Sequence, residues 1–330
     1  MDKILSVSVA AYNVADYIDD CLNSFTKCKR LADIEVIIID DGATDNTLFK
    51  AQKFALKYPK SFKVIHSIHN RGYGGTINIA LEEASGKYFK TVDGDDWINP
   101  EALDKLVATL EKTNADVVIN NYREVYNDHS VIIDLHGQQS YGELVEFKDI
   151  SQNQKYPMHG ITVRLQLYRD NALPITEHCY YVDTEYIFWV IILAKSFIFL
   201  KEPVYQYRLG RQGQSVSEEG MYKHLDDILM LWKRLMSIYV HIKEIGLNDI
   251  KNTYLLHFLS NQYRTTISWF ALVSKSDKDY KLREFLKETK DKYGEYIKNF
   301  EIGIYKLIYW PWPSGIYILR TLKRIQKNFK

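Results

Sequence analysis

Cysteine is scarce in this chain: 330 residues contain three, Cys21, Cys28 and Cys179. Their spacing fits neither a zinc site nor a disulfide framework, which implies a reducing, cytoplasmic setting. No run of about 18 uncharged apolar residues occurs, so no transmembrane helix is expected. The first residues run straight into a strand-like segment and lack a signal-peptide pattern. An excess of one charge is missing as well. Net charge is +1, from 43 basic and 42 acidic residues, which argues against a nucleic-acid partner. There is no Walker sequence, no His-Glu-x-x-His, and no internal repeat. What remains is 46% hydrophobic and 26% charged, an ordinary globular balance. At roughly 100–200 residues per domain the length suits about two domains, with a core that needs no staples. Tyrosine is abundant, with 25 copies, a composition common at sugar sites and interfaces.

The first 120 residues alternate between short β-branched runs and helical patterns. Strands are expected at 4–10, 34–39, 62–67, 87–92 and 116–120, and helices at 16–26, 48–58, 76–84 and 101–112. This order predicts an α/β fold, a Rossmann-like, mostly parallel sheet flanked by helices. Ligands of such sheets bind beyond the carboxyl ends of the strands. Here those ends carry Tyr12-Asn13, Asp40-Asp41, Asn70 to Gly75, and Asp93 to Asp96. Residues 121–217 are irregular, with an apolar helix ending near Ala194. From 218 onward the pattern is helical. The expected organisation is a nucleotide-binding half (1–120), an acceptor-binding half (121–217) and a helical C-terminal domain (218–330).

Asp93, Asp95 and Asp96 crowd into four positions. Carboxylates this close raise one another's pKa unless a cation relieves them, and hard oxygen donors select Mg²⁺ or Mn²⁺. An EF-hand is excluded, because Trp97 and Ile98 stand where that loop needs a ligand and a glycine. A solvated acidic turn capping the helix after Pro100 is the plain alternative. The Gly72-Tyr73-Gly74-Gly75 run is no dinucleotide fingerprint, since those glycines belong in the first strand–helix turn.

Four motifs in order carry a family resemblance. They are Val7 to Asn13, Ile38 to Asp45 with its Asp40-Asp41-Gly42, Asn70 to Leu81, and Val92-Asp93-Gly94-Asp95-Asp96. Together they resemble family 2 glycosyltransferases of the bacterial surface-polysaccharide type, which have the GT-A fold. The resemblance implies that Ala10, Tyr12, Asp40 and Asp41 hold the base of a UDP-sugar. It implies a donor-side contact from Asn78, a ribose contact from Asp93 within the Asp93-Gly94-Asp95 motif, and a metal (Mn²⁺ or Mg²⁺) on Asp95. Ile77 stands where the family often has Arg. Gly94 replaces Ser or Ala, a change expected to be harmless.

Transfer to an acceptor hydroxyl needs a carboxylate base. The resemblance places an Asp just before a helix in that role. Asp183 is the match, with Val182 in place of the family's Glu, and Glu185 is the alternative register. Asp183 could equally cap the helix that follows. Arg208 and Arg211, in a flexible glycine-containing loop, suit a cover over a diphosphate, or are solvated surface cations. His159 and His178 read as structural histidines. In the tail, Ile316, Leu319, Leu322 and Ile325 recur at helical spacing with five basic residues and no acid from Arg320 on. That pattern predicts a helix within 304–330 lying on an inner-leaflet membrane interface, or packed on protein or in an oligomer contact.

The expected function is inverting transfer of a hexose from a UDP-sugar to a glycan or lipid-linked acceptor. A catalytically idle nucleotide-sugar-binding scaffold subunit is the alternative. A nucleotidyltransferase would need a basic Gly-rich loop after the first strand, which is lacking.

Overall fold

The computed structural model describes residues 3–151, 153–210, 217–273, 278–309 and 314–328. They form two compact units, Met1–Arg211 and Gln212–Lys330. In the first, β1 (Leu5–Ala11), β2 (Ile34–Asp40), β3 (Phe62–His66) and β4 (Tyr88–Asp93) lie parallel in the order β3-β2-β1-β4. Leu5, Val7, Val9 and Ile34 to Ile39, apart from half-buried Glu35, are buried, as strands covered on both faces require. Helices α1 (Ile18–Thr26), α2 (Thr47–Lys57), α3 (Gly72–Glu83) and α4 (Pro100–Lys112) supply the cover. α4 shows why the sequence folds this way. The Asn99 carboxamide accepts the Ala102 N–H at 3.0 Å, Pro100 occupies the first turn, and Leu103, Leu106, Val107 and Leu110 form one fully buried face.

The sheet is more mixed than the alternation predicts. After β5 (Trp97–Ile98) and β6 (Val117–Val125) come β7 (Ser130–Ile133), β8 (Leu144–Glu146), β9 (Ile161–Arg164) and β10 (Ser196–Arg208). β9 inserts antiparallel between β4 and β6. β10 runs parallel to β6, but the register breaks between Leu200 and Tyr205, where Pro203 has no N–H to donate. Beyond the break β10 pairs antiparallel with β5 and delivers Tyr205 and Arg208 to the loop after β4. Helices α5 (Leu165–Asn171) and α6 (Asp183–Leu193) lie between β9 and β10.

The second unit is helical: α7 (Glu218–Lys223), α8 (Leu225–Gly246), α9 (Asp249–Val273), α10 (Asp279–Ile297) and α11 (Ser314–Asn328). Its core gathers Tyr263, Phe285, Tyr293 and Phe300 around the buried Trp232 ring. α11 matches the alternative of a helix packed on protein for part of its apolar stripe. Ile316 and Leu319 are fully buried, because α11 packs on α9 and on the 3-10 segment Gly303–Tyr309. Arg320 is buried too and donates to the Asp279 carboxylate, with Nη1 at 2.8 Å. That part of the apolar stripe is used within the protein. No helix among the described residues is long and apolar enough to cross a membrane.

Candidate active site

The carboxyl ends of β1, β2 and β4 converge as the topology requires. Asp93 ends β4, and the loop behind it turns back onto β1, where the Gly94 N–H donates to the Ala10 carbonyl at 2.9 Å. A Cβ at Gly94 would lie 2.7 Å from that oxygen. Glycine suits this position, because the loop sits close against β1.

Asp96 locks this loop. Its Oδ2 accepts the Tyr205 hydroxyl at 2.6 Å and its Oδ1 accepts the Arg208 N–H at 2.7 Å. The Tyr205 oxygen also accepts the Asp93 N–H at 3.1 Å. Arg208 lies against the loop, with Nε donating to the Asp95 carbonyl at 3.0 Å and a second nitrogen to Asp20 at 3.2 Å. Its guanidinium is 4.6 Å from the Trp97 ring and 5.1 Å from the Tyr17 ring. Arg211 lies outside the described residues.

Burial first, and then the neighbouring carboxylates, push the Asp93 and Asp96 carboxyls up from the usual range. The Tyr73 and Tyr205 hydroxyls pull Asp93 back toward its ionised form. Asp93 Oδ1 is buried and has no protein partner. Donor atoms of Asp93, Asp96 and His159 lie within 4.8 Å of one another; Asp95 is half-buried beside them. The His159 ring packs between Tyr205, at 4.6 Å, and Tyr207, at 4.4 Å. Burial and the nearby Lys90 push it down to about 3, so it stays neutral. Lys90 is fully buried on β4 and donates to the carbonyls of His159, at 2.7 Å, and Ile161, at 3.2 Å. Burial lowers it to about 7.

At the end of β2 the paired aspartates diverge. Asp40 is fully buried, with Oδ2 2.7 Å from His66 Nδ1 and Oδ1 without a partner. Asp41 Oδ1 and Oδ2 accept the Arg71 and Gly72 N–H groups, each at 2.8 Å, and so anchor the start of α3. That anchor explains why α3 begins at Gly72, four residues ahead of its sequence-predicted start. Ala10 is half-buried and Tyr12 exposed. Asn13 adopts a left-handed conformation (φ 52°) and its Oδ1 accepts the Thr44 N–H at 2.8 Å. Asn78 faces the segment before α6: its Oδ1 accepts the Ile175 N–H at 2.8 Å and its Nδ2 donates to the Ile175 carbonyl at 2.9 Å.

Asp183 opens α6, its carboxyl accepting backbone N–H groups of that first turn. Burial pushes it up to about 6. It stands within electrostatic reach of Asp93, Tyr73 and Tyr207. The chain thus brings the Asp93 loop and Asp183 to one site. Glu185 turns away: it is fully buried and its Oε2 accepts the Thr176 N–H at 3.1 Å.

Sequence reasoning missed Tyr205, His66, Lys90 and the Asp96 lock. Lys90 left a signal, as the only cation in the apolar run Tyr88 to Val92. Tyr205 left none, because its role depends on the break in β10.

The model of the family described as "Glycosyl transferase family 2" matches residues 6–174. An uncharacterized glycosyltransferase of Haemophilus influenzae is 30% identical over 258 residues, covering 75% of this chain and 77% of that protein. The poly(ribitol-phosphate) beta-N-acetylglucosaminyltransferase TarS of Staphylococcus aureus is 27% identical over 263 residues, which cover 78% of this chain and 44% of TarS. The crystal structure of TarS residues 1–349 in complex with UDP-GlcNAc matches with a TM-score of 0.70 at 20% identity, over 99% of this chain and 92% of that one. With these motifs at the strand ends and the family model spanning about half of its length, the chain belongs to glycosyltransferase family 2.

Proposed function

We propose that this enzyme transfers a hexose from a UDP-sugar to a hydroxyl of a glycan or lipid-linked acceptor, with inversion, in surface-polysaccharide synthesis. The observation that carries this reading is the meeting of the Asp93–Asp96 loop with Asp183. One end of the site offers carboxylates for a cation, and the other a carboxylate whose pKa of about 6 suits a general base near neutral pH. Asp183 is the base in this reading, because Glu185 is buried and spent on Thr176.

The residues present fit a divalent cation. Asp93 has a buried oxygen with no protein partner, and Asp95 adjoins it with a second hard oxygen donor set. Asp95, joined by Asp93 in place of the ribose contact expected for it, would hold Mn²⁺ or Mg²⁺, which when bound neutralises the leaving diphosphate. Asp96 is occupied by Tyr205 and Arg208 and fixes the loop instead. Tyr12 and Ala10 form the base end in this reading, with Asp40 and Asp41 both buried there and Asp41 holding the start of α3. Asn78 acts on the donor site through the segment at Ile175, and Arg208 through its hold on the Asp95 carbonyl. Asp183 takes the acceptor proton as the hydroxyl oxygen attacks the anomeric carbon from the side opposite the diphosphate.

The TarS relative is named as a β-N-acetylglucosaminyltransferase and has been crystallised with UDP-GlcNAc. UDP-GlcNAc is therefore the first donor to test. UDP release from it is expected with Mn²⁺ in the wild type, and at least 10³-fold less in Asp183→Asn with UDP binding retained. Equal UDP release by Asp183→Asn would refute Asp183 as the base. Metal-dependent binding with no turnover on any donor or acceptor would favour the scaffold reading.

A further inference from the structure

The segment that presents Asp183 is unusually constrained. Residues 172–182 join α5 to α6, and two non-glycine residues in it, His178 (φ 52°) and Tyr181 (φ 65°), hold left-handed conformations. Such strain persists only where surroundings impose it. The surroundings are the first two turns of α3. Asn78 exchanges two hydrogen bonds with the Ile175 backbone, and its Nδ2 also donates to Glu177 Oε1 at 3.3 Å. The Arg71 carbonyl accepts the His178 N–H at 2.8 Å. Gly74 lets the Thr176 carbonyl come so close that a Cβ would lie 2.0 Å from it.

Across this contact Arg71 and Glu177 meet fork to fork. Arg71 Nε donates to Glu177 Oε2 at 2.9 Å, and a second guanidinium nitrogen donates to Oε1. Both side chains are part-exposed, 39% and 29%, so the pair adds little to stability. Paired bonds do fix orientation. The other end of this array is Asp41, whose carboxylate holds the Arg71 and Gly72 N–H groups. A single run of contacts therefore leads from the β2 end, through the start of α3, to the segment that ends in Asp183.

We propose that Glu177, through its paired bonds to Arg71, is a positioning residue for catalysis: it fixes the 175–182 segment so that Asp183 faces the reacting site. This rests on the reading of Asp183 as the base. Glu177 touches no reacting atom and acts through the backbone that carries Asp183. Because the pair contributes orientation and little stability, its loss should separate turnover from both folding and donor binding.

The experiment compares wild type, Glu177→Gln, Arg71→Glu, Glu177→Arg and the swapped double variant Arg71→Glu/Glu177→Arg. It measures UDP affinity by calorimetry with Mn²⁺, steady-state UDP release from UDP-GlcNAc, and hydrogen exchange at the Ile175 and His178 amides. Glu177→Gln should keep UDP affinity within twofold and KM within threefold, lose at least tenfold in kcat, and exchange those two amides at least tenfold faster. The swap should recover kcat to within threefold of wild type. If Glu177→Gln fails to fold, Arg71→Lys, which keeps the charge and loses the fork, takes its place with the same expected split. Unchanged kcat in Glu177→Gln, or a swap no better than its worse single variant, overturns the assignment. Wild-type protein that releases no UDP from any donor overturns the functional reading beneath it, and this assignment with it.

Discussion

Replacing Gly74 by Ala adds one methyl group at the point where α3 meets the segment before α6. The new Cβ would lie 2.0 Å from the Thr176 carbonyl oxygen and 3.0 Å from Ile175 Cγ2. Relief needs a shift of at least about 1 Å, and the backbone atom cannot rotate away as a side chain could. The shift pulls Ile175 from Asn78 and the Thr176 N–H from the fully buried Glu185. Overpacking and a weakened bond to a buried carboxylate together cost about 2–4 kcal/mol. For a unit of this size that lowers Tm by about 5–10 °C. Asp183 moves with the segment, and a displacement of about 1 Å lowers kcat by about 10²-fold. Gly294→Ala is the control, since its Cβ would enter open space. It should leave turnover unchanged and be neutral or stabilising by up to about 1 kcal/mol. Thermal unfolding and UDP release on both variants test this. A Gly74→Ala protein that melts within 1 °C of wild type, by an assay of about that precision, with undiminished turnover would refute the account of this contact.

Asp183 is raised to about 6 by burial, and a base must be ionised to act, so kcat/KM should rise with pH to a plateau above about 7. An acid limb centred near 4 would contradict the buried setting. Lys90, lowered to about 7 by burial, binds fewer protons folded than unfolded between pH 7 and about 10. Stability should therefore rise with pH across that window, at up to about 1.4 kcal/mol per unit. In Lys90→Met urea unfolding should show that slope removed; a slope unchanged from wild type would contradict it. Arg320→Met removes the paired bonds to the buried Asp279 carboxylate and should destabilise the helical unit by about 3–5 kcal/mol in urea unfolding. A loss below 1 kcal/mol would mean the pair is hydrated in solution.

Much of the fold was readable because local signals agreed. β1 to β4 and α1 to α4 follow the sequence-predicted order, with the two-residue β5 unforeseen and most boundaries shifting by one or two residues, since buried β-branched strands and amphipathic helices announce themselves by period. The mixed half of the sheet was not readable. β9 is four residues long, and its place between β4 and β6 is set by non-local pairing that no window of sequence contains. The same limit applied to the site. Asp93, Asp95 and Asp183 stand out as carboxylates in telling places. Tyr205 and the Arg71–Glu177 pair join residues about a hundred positions apart, and only the folded chain brings them together. The tail shows a related limit. Its amphipathic period was read correctly, but period alone does not say whether an apolar stripe meets lipid or protein. Burial of Ile316 and Leu319 against α9 and Gly303–Tyr309 gives protein as the answer for those residues.

The central claim is that Asp93 and Asp95 make donor binding depend on a divalent cation. Calorimetric titration with UDP-GlcNAc and a panel of other nucleotide sugars, in Mn²⁺ and then in EDTA, tests it most directly. The account predicts binding of a UDP-sugar in Mn²⁺ that is lost in EDTA and lost again in Asp95→Asn. Binding of equal strength in EDTA, or an Asp95→Asn protein that binds as wild type does, would contradict it.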